Sequence, residues 1–356
     1  MKEERLLSLD VFRGITIAGM MIVNNLGGPV NYPQLQHVAW HGWTYTDTIF
    51  PSFLWIVGVA ITLSIARRLE RGDDKGKLLL HAVRRAAMIF GVGLFLSGFP
   101  TFPLETWRMP GVLQRIAVCY LVALAVFLYT SIRGQIIFTV ACLGAYWMLM
   151  GSDYERDTNF ARGIDQIVFG NHNYRATKTW DPEGLVSTLP SIGTAMFGVL
   201  AGQILRRSYN HGERAARLFL AGNALILTGM LLSAWQPINK QLWTCSFSVF
   251  MAGISTVLFA ACYWICDAQN IRRPFRFFEI YGMNAIAAYI FAGLLARSLA
   301  YVRFAGDVPF KRFVYETALV PVASAANASL LYAVGFDLVI FAIVWWMFRR
   351  RWFLKF

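Results

Sequence analysis

The sequence predicts an all-α fold, a polytopic integral membrane bundle of about ten transmembrane helices, and three observations predict it. Of the 356 residues, 57% are hydrophobic and only 15% are charged, with a mean hydropathy of +0.49. That is more apolar surface than a soluble domain of this size needs for its core. Apolar runs of roughly 17 to 25 residues, long enough to cross a bilayer as helices, recur along the whole chain. Lys and Arg collect in alternate connections between those runs, the mark of an inserted bundle.

The runs lie near 11–28, 45–66, 78–98, 110–130, 135–151, 186–205, 215–234, 242–266, 280–302 and 327–348. The first begins at Val11 and fades at Gly27-Gly28-Pro29. The second has its core from Ile49 to Ile65 and stops at Arg67-Arg68. The third sits between Lys77 and Pro100, the fourth starts at Pro110-Gly111, and the fifth ends at Gly151. The sixth follows Gly184 and ends at Arg206, and the seventh stops short of Pro237. The eighth leads to Asp267, the ninth follows Glu279, and the tenth runs into Arg349-Arg350-Arg351. A single domain, 1–356, is expected, with 152–184 as an external cap.

With the N-terminus inside, the cytoplasmic connections carry five Lys/Arg in 67–77, one in 131–134, four in 206–217, three in 267–279 and four in 349–356. The opposite connections carry none in 29–43, none in 99–107, four in the long 152–184, then Lys240, Lys311 and Arg312. The imbalance predicts N- and C-termini on the cytoplasmic side. The net charge of +13 follows from topology and attraction to anionic lipid, so the bilayer is the expected partner and nucleic acid is not. Met1 to Leu9 carries Glu3 and Glu4 and no small-residue cleavage site follows, so the first run is kept as a span. The five cysteines, at 119, 142, 245, 262 and 266, lie within spans without metal-ligand spacing, and neither a disulfide nor a metal site is expected.

The break between the first two spans carries the chemistry. Asn24, Asn25, His37, Trp40, His41, Gly42, Trp43, Asp47, Phe50 and Pro51 fall close together there. Ionisable side chains at a membrane boundary are costly and are usually kept for chemistry. An unperturbed imidazole is the side chain that changes charge near neutrality. His37 is therefore the candidate general base, and Asp47 the group that would fix its tautomer. The cap segment 152–184 interleaves Tyr154, Phe160, Phe169, Tyr174 and Trp180 with polar side chains, including Asp181 and Glu183. Aromatic faces beside hydrogen-bonding groups suit a sugar ring.

Eight ordered blocks carry a resemblance: Arg5-Leu-Leu-Ser-Leu-Asp-Val-Phe-Arg-Gly14, Val23-Asn24, His37-Val-Ala-Trp40 with Gly42, Asp47 with Phe50-Pro51, Pro110-Gly-Val-Leu-Gln-Arg115, Asp181-Pro-Glu-Gly184, Pro237-Ile-Asn-Lys240 with Leu242-Trp243, and Gly282-Met-Asn284. In this order they resemble the heparan-α-glucosaminide N-acetyltransferase family, and the chain looks like its shorter bacterial members. The resemblance implies a transmembrane acetyltransferase that takes acetyl from cytosolic acetyl-CoA, as co-substrate, and gives it to a glucosamine-type amine on the other side. It implies the bacterial inner membrane as the location and a catalytic-site role for Asn24. Against the animal enzyme, the cap is shorter and His41 stands where asparagine is found.

Acetyl transfer needs a deprotonated amine, a polarised carbonyl and exclusion of water. Asn24 is expected to polarise the thioester or orient the acceptor, and His37 to take the proton. No Cys or Ser stands in the matched motif, which favours direct attack, while an acetyl intermediate on His37 itself stays open as the alternative. Acetyl-CoA joins anionic phosphates to a long neutral arm. The cofactor-binding candidates are Arg13, Arg84, Arg85 and the loop arginines 272, 273 and 276 for the phosphates, with Gln114, Arg115 and Asn284 from the matched blocks. Trp40, Asp181, Glu183, Asn239 and Lys240 are the candidates for the amino-sugar acceptor. A homodimer is a further expectation, since the Phe-rich spans leave apolar faces. Two competing classes remain: an O-acyltransferase of a cell-envelope glycan, and a proton-coupled secondary transporter, against which stands the missing inverted repeat.

Overall fold

The computed structural model describes residues 6–304 and 306–354. Met1–Arg5, Ala305 and Lys355–Phe356 lie outside the described residues. So do Arg5 of the first matched block, most of the acidic leader segment and Lys355 of the last basic cluster.

The fold is a helical bundle with one two-stranded hairpin. Nine helices among the described residues are long and apolar enough to cross a membrane. They are α1 (Leu7–Asn24), α2 (Tyr45–Glu70), α3 (Lys75–Gly98), α4 (Val112–Tyr129) and α5 (Ile132–Met150). After the short cap helix α6 (Phe160–Phe169) come α7 (Thr188–Arg206), α8 (His211–Leu232) and α9 (Cys245–Tyr263), the last extended by one π turn to Ala268. The short α12 (Phe310–Val314) precedes the ninth, α13 (Ala325–Arg349).

The expected span over 280–302 is broken. It consists of α10 (Arg276–Met283) and α11 (Ala285–Tyr301), bent by 70° across Asn284. On one side of the bend, α10 packs closely against α1. A Cβ on Gly282 would lie 1.8 Å from the carbonyl oxygen of Asp10, and one on Gly14 would lie 1.8 Å from that of Phe278. Only glycine lets α1 and α10 cross backbone to backbone in this way. A second reciprocal contact holds the centre. A Cβ on Gly58 of α2 would meet the Ala195 oxygen at 1.9 Å, and one on Gly198 of α7 would meet the Trp55 oxygen at 2.0 Å.

We call the end of the bundle where α1 finishes and α2 begins the upper end. It carries the segment 25–44, the cap 152–184 and the turn 233–244. It also carries an unforeseen excursion, a hairpin pairing Arg303–Phe304 with Val308–Pro309 followed by α12 and a π turn at Tyr315–Leu319. The lower end holds the start of α1, whose first free amides, Leu7 and Ser8, donate to the Asp267 carboxylate at 3.0 Å each. This satisfies donors that a helix N-terminus leaves open.

Candidate active site

Asp47 is the anchor of the site. It stands at the third position of α2, where Thr44 and Asp47 cap each other reciprocally, the sequence signature of a helix start. One carboxylate oxygen accepts from the Thr44 amide at 3.1 Å, the Thr44 hydroxyl at 3.0 Å and the Val38 amide at 3.2 Å. The other lies 2.6 Å from Nδ1 of His37. The Asp47 side chain is fully buried, while that of His37 is 44% exposed. With the carboxylate accepting, Nδ1 carries the hydrogen and Nε2 keeps a free lone pair. The segment holding His37 is tied down elsewhere as well: the Thr44 hydroxyl shares its one hydrogen between Asp47 and the Gln36 carbonyl, 2.6 Å away, and the Gly27 amide donates to the Ser329 carbonyl at 3.2 Å.

The turn between α8 and α9 delivers Lys240 to the same place. The Gly42 amide donates to the Ile238 carbonyl at 2.7 Å, joining the turn to the His37 segment. Asn239, buried, accepts the Leu242 amide on Oδ1 at 2.9 Å and meets Nδ1 of His41 at 3.2 Å. Lys240 stands at the apex. Its Nζ lies 3.2 Å from Nε2 and 3.1 Å from Nδ1 of His37, and 3.7 Å from Asp47. Burial pushes the Lys240 ammonium below the ordinary lysine range, opposed by the charges of Asp47 and Glu183.

A second ionic group lies across the mouth. Arg108 donates to Asp181 at 2.8 and 2.5 Å and to Glu183 at 2.5 Å, and its guanidinium stacks 4.5 Å from the Tyr174 ring centre. Burial would raise the Glu183 carboxyl, but Arg108, Arg115 and Lys240 outweigh it and hold it below the usual range. Beneath them, Asp165 of α6 accepts the amides of Asp181 at 3.1 Å and Leu185 at 3.0 Å. Burial pushes its carboxyl up to about 6.

One cavity of about 710 Å³ joins the two ends of the bundle. At the upper end it is lined by Asn24, His37, Lys240, Gln241, Glu183, Arg108 and Tyr174. Its middle is walled by apolar side chains such as Ile17, Phe53, Ile56, Val57, Ile89 and Ile116, and it descends past Arg85 and Arg13 to Ser64 and Leu354. An anionic head, a long neutral arm and a polar reacting end match this succession of basic, apolar and ionisable lining.

The structure thus brings the expected pair of His37 and Asp47 together with Lys240, Asn24 and Glu183, which the sequence singled out separately. Among the phosphate candidates, Arg13 and Arg85 line the cavity. Arg13 also donates to Asp10 and to the Gly282 carbonyl, each at 3.1 Å. Arg84 points outward on the exposed face of α3, because one residue along a helix turns the side chain by about a quarter of a circle or more.

Gln114 and Arg115 stand outside the lining. Gln114 donates to the Met109 carbonyl at 3.1 Å. Arg115, 2% exposed, donates to the Gly184 carbonyl at 3.0 Å and to Ser187 at 2.5 Å and stacks 5.2 Å from Trp243. It joins α4 to the foot of the cap. Asn284 is buried in the α10–α11 break with both amide atoms unpartnered, while Met283 and Ala285 on either side line the cavity.

Of the remaining acceptor candidates, Trp40 donates to the Tyr154 carbonyl at 3.0 Å and packs edge-on to Trp180. Asp181 lies buried beneath Arg108, and Asn239 is spent on its turn. Of the cap aromatics, Tyr154 and Trp180 are buried within the cap, Phe160 is exposed, and Tyr174 lines the cavity. Arg108 was not among the residues singled out from the sequence, since it falls between the connection 99–107 and the span at 110; its one signal is a cation two residues before Pro110.

A family model described as heparan-alpha-glucosaminide N-acetyltransferase, catalytic, matches residues 5–236. The chain is 27% identical over 350 residues to the heparan-alpha-glucosaminide N-acetyltransferase of Mus musculus, covering 80% of this chain and 53% of that protein. It is likewise 27% identical to the Homo sapiens protein of the same name, covering 80% of this chain and 52% of that one. The chain spans about half the length of the curated relatives it matches.

Proposed function

Since the chain belongs to the heparan-alpha-glucosaminide N-acetyltransferase family, we propose that it moves acetyl from acetyl-CoA, bound from the cytoplasmic lower end, to the amine of a glucosamine-type sugar at the upper end. The observation that carries this is the single cavity running from Arg13 and Arg85 to the free Nε2 of His37. The arginines suit the phosphates, and the apolar middle suits the pantetheine arm and keeps water from the thioester.

His37 Nε2 takes a proton from the acceptor amine as the amine nitrogen attacks the acetyl carbon. Asp47 stabilises the imidazolium that forms, since its carboxylate already holds Nδ1–H. The tetrahedral intermediate collapses, the C–S bond breaks, and the CoA thiolate takes the proton back from Nε2. Asn24, at the end of α1, lies in reach of the cavity to orient the acceptor or the acetyl oxygen. Lys/Arg enrichment on the lower-end connections supports a cytoplasmic lower end.

Proteoliposomes with acetyl-CoA confined to the lower-end side and glucosamine to the other are expected to make N-acetylglucosamine on the glucosamine side. His37→Ala is expected to bind CoA without turnover. Absence of product from glucosamine and other amino sugars, even with both substrates in one compartment, would refute the proposal.

A further inference from the structure

We infer that Lys240 is a catalytic residue whose ammonium stabilises the oxyanion formed when the acceptor attacks the acetyl group. The inference rests on the acetyl-transfer reading and assigns that reaction its electrophilic partner. Geometry carries it. Nζ lies 3.2 Å from Nε2 of His37, and the attacking amine must also lie within hydrogen-bond reach of Nε2 to give up its proton. The acetyl carbon sits against that amine and its oxygen one bond beyond, so the oxygen falls in the space that Nζ borders. Nζ stands at 3.1 and 3.2 Å from the two ring nitrogens, over the ring face and not in line with the Nε2 lone pair, so the amine can use that lone pair while the ammonium donates to the acetyl oxygen as it gains charge.

The position is built in advance. The Asn239 side chain closes the turn on the Leu242 amide at 2.9 Å, the Trp243 amide donates to the Lys240 carbonyl at 3.1 Å, and the Gly42 amide fixes the turn to the His37 segment. A long lysine on an open loop would reorganise during the reaction. This one is held, with a side chain only 11% exposed. Such preorganised charge in a water-poor site is where electrostatic stabilisation is strongest. Three carboxylates bear on the site: Asp47 at 3.7 Å from Nζ, Glu183 on the cavity wall, and Asp181, which Arg108 neutralises together with Glu183.

A nucleophilic role does not fit. Acetyl transferred to Nζ would form an amide, which an amine acceptor cannot reopen under these conditions, so the enzyme would stop after one turnover. Charge is what Lys240 supplies.

The test compares Lys240→Met, which keeps length and loses charge, with Lys240→Arg. Turnover of acetyl-CoA and glucosamine should fall by ~10² to 10³ in the methionine variant, the usual cost of losing an oxyanion donor. Its KM for acetyl-CoA, and its affinity for CoA measured by calorimetry, should stay within about threefold of wild type, because the interaction belongs to the transition state. Lys240→Arg should recover part of the turnover. Wild-type turnover in Lys240→Met would overturn the inference, as would a loss of CoA binding in step with turnover, which marks a structural role. Wild-type protein that transfers no acetyl at all would instead count against the proposed function.

Discussion

Asp47→Asn is the sharpest perturbation of this site, because the substitution keeps the shape of the side chain and changes one oxygen into a donor. In the native site both oxygens accept, from His37 Nδ1 at 2.6 Å on one side and from the Val38 amide, the Thr44 amide and the Thr44 hydroxyl on the other. An asparagine amide facing Val38 and Thr44 would set donor against donor. The carbonyl must therefore face them, leaving NH₂ toward His37. Nδ1 then becomes the acceptor and Nε2 carries the hydrogen, so the ring presents a donor where the reaction needs a base. Turnover should fall by ~10² to 10⁴, the range for loss of a general base, which is about 3 to 5 kcal/mol in the barrier. Loss of the charge also weakens the two amide bonds and the tie to Lys240, costing on the order of 1.5 to 3 kcal/mol of stability. Radiolabelled acetyl transfer, product mass and a thermal melt read both effects on one sample. A folded Asp47→Asn protein with turnover close to wild type would refute the assignment of His37 as a base held by Asp47.

Arg108→Met should destabilise the cap by about 3 kcal/mol, since Asp181 and Glu183 would be left buried without their cation, and thermal unfolding or protease cleavage within 152–184 checks it. Arg85→Ala should raise the KM for acetyl-CoA roughly tenfold to a hundredfold, the loss of one charge-assisted bond to phosphate, with little change in kcat; steady-state kinetics decide. Asp165, held at about 6 by burial, binds a proton more readily in the folded protein than in the unfolded chain. Its contribution is therefore fully present below the ordinary Asp range and is lost as pH rises through about 6. Unfolding midpoints from pH 4 to pH 7 should show that slope in wild type and not in Asp165→Asn.

The architecture was legible because span length and charge bias are properties of the sequence itself. The apolar runs from Val11 and Ile49 became α1 and α2 with edges moved by a few residues. The site was legible only in pieces. His37 and Asp47 were paired by proximity in sequence, and ten residues of separation became a 2.6 Å contact because Asp47 also caps α2. Lys240 was legible as a residue of interest, but its meeting with His37 depends on a turn that follows six intervening spans. Arg85 and Arg84 were equivalent in the sequence, and helix phase alone separated them. The break at Asn284 was hidden because nothing in Gly282-Met283-Asn284 forbids a straight helix. The backbone approach of Gly282 to the Asp10 carbonyl beside it is a tertiary contact that leaves no mark in the local sequence.

That break bears on the choice between an enzyme and a secondary transporter. Transporters built from repeats place discontinuous helices in corresponding halves, facing a shared site at mid-membrane. Among the described residues one bent pair is found, α10 with α11. The cavity is also graded from end to end. Arginines stand low, His37, Lys240 and Glu183 stand high, and between them, apart from the hydroxyls of Tyr120 and Tyr289, the wall is largely apolar. A proton path needs groups that can bind and release protons at hydrogen-bond spacing, and Ile56, Val57, Ile89 and Ile116 cannot. A neutral acyl-carrying arm needs the opposite, a dry bore that holds it by area and leaves the reactive end to be fixed by the few polar groups at the top. The same apolar middle that would interrupt a proton relay would, under the proposed function, let a thioester approach His37 without meeting water.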